Sequence, residues 1–190
     1  MSAHEVDVAA RRLVALAELD AEDLTETVSH AARLANADLV GLDNRIKSVE
    51  SLRRKLADLM AQDPTLTVDE GAERVYDVLR FTVVAEPDRY MAVHDGVLVT
   101  LAAQGVAIVQ DANHWAGPRY RGINSQLMAT GHRRFEVQFH TRDSYAAVKA
   151  TRGLYEEFRH AATPPPRRAE LAAQIGAVFA RVPVPPAAVP

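Results

Sequence analysis

The chain contains no cysteine. That excludes a disulfide scaffold, a thiol nucleophile and a zinc–thiolate site, and leaves the redox compartment open. Aromatic residues make up only 6% of it, with a single Trp, Trp115, which reads as a structural packing residue. Positive charge is not in surplus. The formal net charge of −3 gives no global basic field to recruit nucleic acid, although a local patch is still allowed. No apolar run approaches the roughly 20 residues of a membrane span, and no membrane association is expected. His4, Glu5 and Asp7 stand where a signal peptide would need a basic start and an apolar stretch. There is no internal repeat. The phosphate loop GxxxxGK[ST], the dinucleotide fingerprint GxGxxG and the metalloprotease HExxH are all missing, and no local Ser-His-Asp set replaces them.

What the chain does contain is 190 residues of ordinary soluble composition, enough for a domain with a real core. The densest chemistry lies in residues 45–55, where five of eleven positions are basic. Arg45 and Lys47 are two apart and share one face of a strand. Lys47, Ser51 and Lys55 are spaced by four and form one stripe on a helix. A strand turning into a helix near Ser48 aims all four groups at one place, and the helix N-terminus adds its positive end. That layout suits a polyphosphate. A solvated basic helix face is the alternative reading.

The rest of the pattern is α/β. Residues 4–19 and 20–36 read as two amphipathic helices, with Asp20 capping the second. A short strand over 39–47, with Gly41 inside it, precedes a helix over 48–62. Thr67 and Glu70 form a capping box that starts a short helix. Residues 76–85 read as a buried strand carrying one carboxylate, Asp77. A helix over 88–104, opened by Pro87 and closed by Gly105, leads to a strand over 106–109. Residues 111–121 read as a loop. Strands over 123–129 and 134–141 form a hairpin around 130–132, and in the second of them Glu136, Gln138 and His140 share one face by period two. Helices over 142–161 and 167–180 flank a break at Pro164–Pro166, and an extended or loose Pro/Ala-rich tail follows. The expectation is one mixed sheet of about five strands flanked by helices. Residues 1–37 form a helical segment ahead of the domain at 38–162, and 163–190 carry the break, a short helix and the tail.

On separate strands of that sheet, Asp77 and Glu136 would converge beside the basic stretch, as Mg²⁺ requires of a site where phosphate oxygens complete its shell. A surface or salt-bridged Asp is the alternative. Tyr120, between Arg119 and Arg121, is placed to stack on a nucleobase, or else to pack its own loop down.

Taken together, Arg45-x-Lys47-x3-Ser51-x3-Lys55, Tyr76-Asp77, the run Tyr120-Arg121-Gly122-Ile123-Asn124 and the run from Phe135 to Thr141 resemble the synthetase domain of RelA/SpoT enzymes. The likeness extends over about 39–159 and is strongest to small single-domain members, including toxic ones. It implies a nucleotidyltransferase-like synthetase fold and a nucleotide 3′-pyrophosphokinase activity. The β,γ-pyrophosphate of ATP would pass to a ribose 3′-hydroxyl, making an alarmone such as (p)ppGpp or (p)ppApp. It further implies that Arg45, Lys47, Ser51 and Lys55 bind ATP, and that Asp77 and Glu136 hold Mg²⁺ and act in catalysis with Gln138. Tyr120, Arg121, Asn124 and His140 would serve the acceptor: GDP, GTP or an adenine nucleotide, or in the toxic branch the 3′ end of tRNA. A neutralising antitoxin or immunity protein is the partner that branch implies. Cytoplasmic nucleotides place the action in a cytoplasm, either the cell's own or that of a target cell. The sequence departs from the family pattern at Arg80, Thr82, Ala112 and Asn124, mainly on the acceptor side. A catalytically inactive nucleotide- or protein-binding module is the reading of another class.

Overall fold

The computed structural model describes residues 3–160 and 162–189. Its first element, α1, runs Ala3–Leu34 without a break. The two expected helices are one because neither Gly nor Pro interrupts this stretch and the buried stripe continues through it, from Leu13 to Ala17, Ala21, Leu24 and Val28. Asp20 caps nothing. Its carboxylate lies 2.9 Å from His132 Nδ1 and accepts the Arg133 N–H at 3.2 Å, tying α1 to a distant hairpin.

β1 is only Asp38–Val40. Gly41, at φ 69°, turns the chain into a 3-10 turn over Leu42–Asn44. A Cβ there would stand 2.8 Å from the Tyr145 hydroxyl, so the expected strand over 39–47 stops short. α2, Val49–Gln62, is capped by Ser48, whose Oγ accepts the Ser51 N–H at 3.2 Å. α3, Val68–Glu73, opens on the anticipated capping box of Thr67 and Glu70.

β2 is Arg80–Val84, so Asp77 precedes the strand instead of lying within it. Residues 78–80 run beside 45–47: Lys47 N–H donates to Val78 O and Arg80 N–H to Arg45 O, each at 2.8 Å, with an Ile46–Leu79 bridge between them. The apolar run 78–84 hides this change of partner, since both halves are buried. α4 is Tyr90–Ala103, after a 3-10 turn over Pro87–Arg89. β3, Val106–Asn113, is longer than expected and irregular between Ile108 and Gln110. The loop that remains is therefore 114–122. β4, Ile123–Ala129, and β5, Arg134–His140, form the expected hairpin. α5 is Arg142–Arg159, and its expected end at Ala161 lies outside the described residues. α6, Pro165–Phe179, starts inside the proline run, because Pro is tolerated in a first helical turn. The tail after it is not loose: Val182 and Ala188 are buried.

The five strands form one mixed sheet in the order β1-β2-β5-β4-β3. Only β2 and β5 are parallel. Phe81, Val83, Leu127, Phe135, Val137 and Phe139 are buried and join α1, α2 and α4 in one apolar cluster, which also takes in Ile175 and Phe179 of α6. Phe81 and Phe135 meet edge to face at 6.0 Å. Period two sends the alternate residues to the other face: Arg80 and Thr82 of β2, Glu136, Gln138 and His140 of β5, Asn124 and Gln126 of β4.

Candidate active site

That second face carries the chemistry. Lys47 enters from the segment alongside 78–80, and Lys55 reaches in from the second turn of α2. Both ammonium groups grip Asp77: Lys47 Nζ on Oδ2, and Lys55 Nζ on Oδ1 at 2.6 Å. Lys55 also lies 5.1 Å from the centre of the Tyr76 ring. Burial works to raise the Asp77 carboxyl, but the two lysines outweigh it and hold it at about 2. Burial pushes Lys47 down to about 8, helped by the charges of Lys55 and Arg80 and opposed by Asp77. Ser51 Oγ accepts from Ser48 Oγ at 3.0 Å at the start of α2. The fourth residue expected at ATP, Arg45, shares the segment with Lys47. Its Nη1 donates to Leu42 O at 2.9 Å, and its Nε is buried without a partner among the described residues.

Glu136 is buried on β5. Desolvation raises its carboxyl, and the nearby Asp77 charge adds to that. Gln138 Nε2 donates to Glu136 Oε2 at 2.6 Å, which leaves the other oxygen open. Two carboxylates within electrostatic reach, one of them desolvated, fit a cation that takes few protein ligands and completes its shell with phosphate oxygens and water. Among the described residues no group of three or more His, Asp or Glu side chains gathers as a fuller metal site.

The acceptor-side residues are also assembled, though differently from expectation. The Tyr120 hydroxyl donates to Asn124 Oδ1 at 2.7 Å and lies 3.0 Å from His140 Nε2. His140 Nδ1 lies 2.9 Å from Ser144 Oγ. Burial lowers His140 to about 4, so the ring is neutral at pH 7. Ser144, His140, Tyr120 and Asn124 thus form one polar chain, with the Ser144 hydroxyl also within reach of Thr141 O at 3.2 Å. The Tyr120 ring packs against His140 at 5.4 Å, His114 at 5.6 Å and Phe179 at 6.1 Å. Burial, then the Glu136 charge, pushes its phenol well above the usual range. Gly122 permits this closeness, since a Cβ there would stand 2.8 Å from Phe139 O and 2.9 Å from His140 Cε1.

Arg121 does not join them. Its Nη1 donates to Val182 O in the C-terminal tail. The other arginines on this side of the chain are dispersed as well. Arg119 lies over the Phe158 ring at 4.9 Å, and Arg142 pairs with Glu86 and Asp38. Arg133 and Arg134 flank the β4–β5 turn, at the opposite end of those strands from Tyr120. Three contributors escaped the sequence reading of the site. Arg80 was visible there as the one cation in the run 78–85. Ser144 and Phe179 reach the site only through tertiary packing and left no local signal.

No protein-family model matches the chain, and neither does any curated protein. Solved structures do. The small alarmone synthetase 1 from Bacillus subtilis bound to its product pppGpp superposes with a TM-score of 0.63 at 15% identity, over 90% of this chain and 91% of that one. The small alarmone synthetase 2 from Bacillus subtilis gives 0.59 at 13% identity, over 88% and 89%. The type VI effector Tas1, in complex with its immunity protein, gives 0.51 at 20% identity, over 93% and 94%. The fold is therefore that of the small alarmone synthetases across nearly the whole chain.

Proposed function

We propose that the protein is an ATP-dependent pyrophosphokinase that transfers the β,γ-pyrophosphate of ATP to the 3′-hydroxyl of a nucleotide. The observation that carries this reading is the convergence on one sheet face of Lys47, Lys55, Asp77 and Glu136, with Tyr120 and Asn124 beside them. Such a transfer needs charge neutralisation and in-line positioning more than covalent chemistry. Asp77 accepts from both lysines. A triphosphate is a stronger competitor for them, and their transfer to its oxygens frees Asp77. Asp77 and Glu136 are then the residues to hold one Mg²⁺, which would neutralise charge on the phosphate oxygens. The 3′-oxygen attacks the β-phosphorus, the bond from that phosphorus to the α–β bridging oxygen breaks, and AMP leaves with the electron pair. The hydroxyl proton is released to solvent as the new bond forms, and Glu136 stays ionised as a ligand of the cation. Tyr120 and Asn124 supply the wall against which the acceptor lies.

Nucleotide acceptors are favoured over tRNA because the arginines that would track an RNA backbone are paired or stand at the far end of the strands. A growth-inhibiting role, with a neutralising protein as partner, is the biological setting that the resemblance to Tas1 supports. The test is incubation with γ-labelled ATP and, separately, GDP, GTP, AMP, ADP, ATP and deacylated tRNA. Label on a nucleotide together with release of AMP is expected. Label on tRNA alone would replace the nucleotide reading, and ATP binding without transfer to any acceptor would leave an inactive binding module.

A further inference from the structure

Arg80 stands at the seam of this site. It is the first residue of β2, and its backbone N–H donates to Arg45 O at 2.8 Å, which sets the ATP-side segment directly beside it. Across the parallel β2–β5 pair its register partner is Glu136. Its charge is felt at Lys47, at Glu136 and at Tyr120, so it lies within electrostatic reach of the donor side, the buried carboxylate and the acceptor wall together.

The surrounding polar groups are satisfied. Lys47 and Lys55 share Asp77, Gln138 holds Glu136, and Tyr120 is tied to Asn124 and His140. Half-buried Arg80 differs from these, and from Arg45, which lacks a partner only at Nε. Among the described residues the Arg80 guanidinium has neither a hydrogen bond nor an ion pair. Lys47, Lys55 and Arg80 share the two carboxylates Asp77 and Glu136, so the site carries excess positive charge. A half-buried guanidinium without a partner, between two substrate subsites, fits an anion that both subsites share. In a pyrophosphate transfer that anion is the moving group itself. The planar fork of Arg matches two oxygens of a phosphoryl group, which a lysine cannot do.

Resting on the pyrophosphokinase reading, we propose that Arg80 is a catalytic residue that binds the oxygens of the pyrophosphoryl group while it passes from ATP to the acceptor hydroxyl. The 3′-O–Pβ bond forms and the bond from Pβ to the α–β bridging oxygen breaks. Arg80 stays protonated throughout and contributes by meeting charge that spreads over the equatorial oxygens.

The test uses the full chain with the acceptor that takes label in the first assay, comparing Arg80→Ala and Arg80→Lys with the wild type. Arg80→Ala is expected to lower kcat by about 10³-fold, the low end for an arginine serving phosphoryl transfer. KM for ATP and for acceptor should each stay within about 3-fold, and the melting temperature should be unchanged. Arg80→Lys should recover part of kcat, since it keeps the charge and loses the fork. Added guanidinium should partly restore Arg80→Ala. A rise in KM for ATP with kcat intact would overturn the proposal and make Arg80 a donor-binding residue. Unchanged kinetics would overturn it outright. Loss of melting temperature and activity together in both variants, without guanidinium rescue, would make the residue structural. A wild-type protein that transfers label to no acceptor removes the pyrophosphokinase reading and this proposal with it, whereas an active wild type with an equally active Arg80→Ala removes this proposal alone.

Discussion

Asp77 is a carboxylate held by two lysines, and the three behave as one unit. Asp77→Asn should abolish transfer while the circular dichroism spectrum stays native, because Asn keeps the volume and can still accept from one lysine. Normal activity in that variant would remove Asp77 from the mechanism. Lys47→Ala should weaken ATP use with every acceptor alike. The held-down ammonium adds a pH signature. Lys47 loses its proton as pH rises through about 8, so KM for ATP should climb above that value, and Lys47→Arg should push the climb to higher pH. A flat profile for the wild type up to pH 9.5 would contradict the depressed ammonium. At Tyr120 the hydroxyl carries weight as well as the ring. Tyr120→Phe leaves His140 Nε2 and Asn124 short of a partner, at a cost of about 1–3 kcal/mol to the folded state for a buried group left unpaired. Tyr120→Ala also removes the ring contacts with His114, His140 and Phe179. Acceptor KM should therefore rise in both, more in Ala, with ATP affinity retained. Equal acceptor KM in wild type and Ala would return Tyr120 to a packing role.

Strand β5 was the most legible element. Period two in Phe135, Val137 and Phe139 against Glu136, Gln138 and His140 named both its faces, and the structure keeps them. The same logic misread 76–85, because an apolar run says that residues are buried and not what they pair with. Asp77 therefore lies in irregular backbone just ahead of the segment 78–80 that runs beside 45–47, and its lysine clamp was not visible in sequence. At α1, Asp20 was a sound local cap signal overridden by a distant His132. A second polar set lies between α4 and β3, away from the active face. His94 Nδ1 lies 2.8 Å from Asp95 Oδ1, and Nε2 lies 3.1 Å from Asp111 Oδ2, which also accepts from Ser125 through Oδ1. Burial lowers the imidazole, yet the two aspartates overcome it and the net effect is a raised pKa. A group raised on folding adds stability that is complete below its unfolded value, near 6.5, and is lost as pH rises through the folded value. The melting temperature should thus fall between pH 6 and pH 9 by more in the wild type than in His94→Gln. Parallel pH curves for the two would remove the bridge.

Over the whole molecule, one apolar cluster runs from α1 through the sheet to α6, so the helices at either end share the core with the strands bearing the site. Their amphipathic patterns were legible, but where they dock was not, since a moment names a face and no partner. Arg119, Arg121, Arg133, Arg134 and Arg142 are dispersed over separate parts of the molecule. Arg133→Glu with Arg134→Glu should leave transfer to a nucleotide unchanged. If tRNA were the acceptor, the same pair should weaken transfer and flatten its dependence on salt.

In the C-terminal tail, Val182 O is held by Arg121 of the loop that carries Tyr120, and Ala188 O accepts at 2.8 Å from Nδ2 of Asn113, the last residue of β3 before that loop. Arg181, exposed and just ahead of Val182, is a cleavage point for trypsin. Cutting there requires the Val182 tie to open, which makes the digestion rate a clock for loop release. An acceptor that settles against Tyr120 should slow that clock, and ATP alone should leave it running at its original pace.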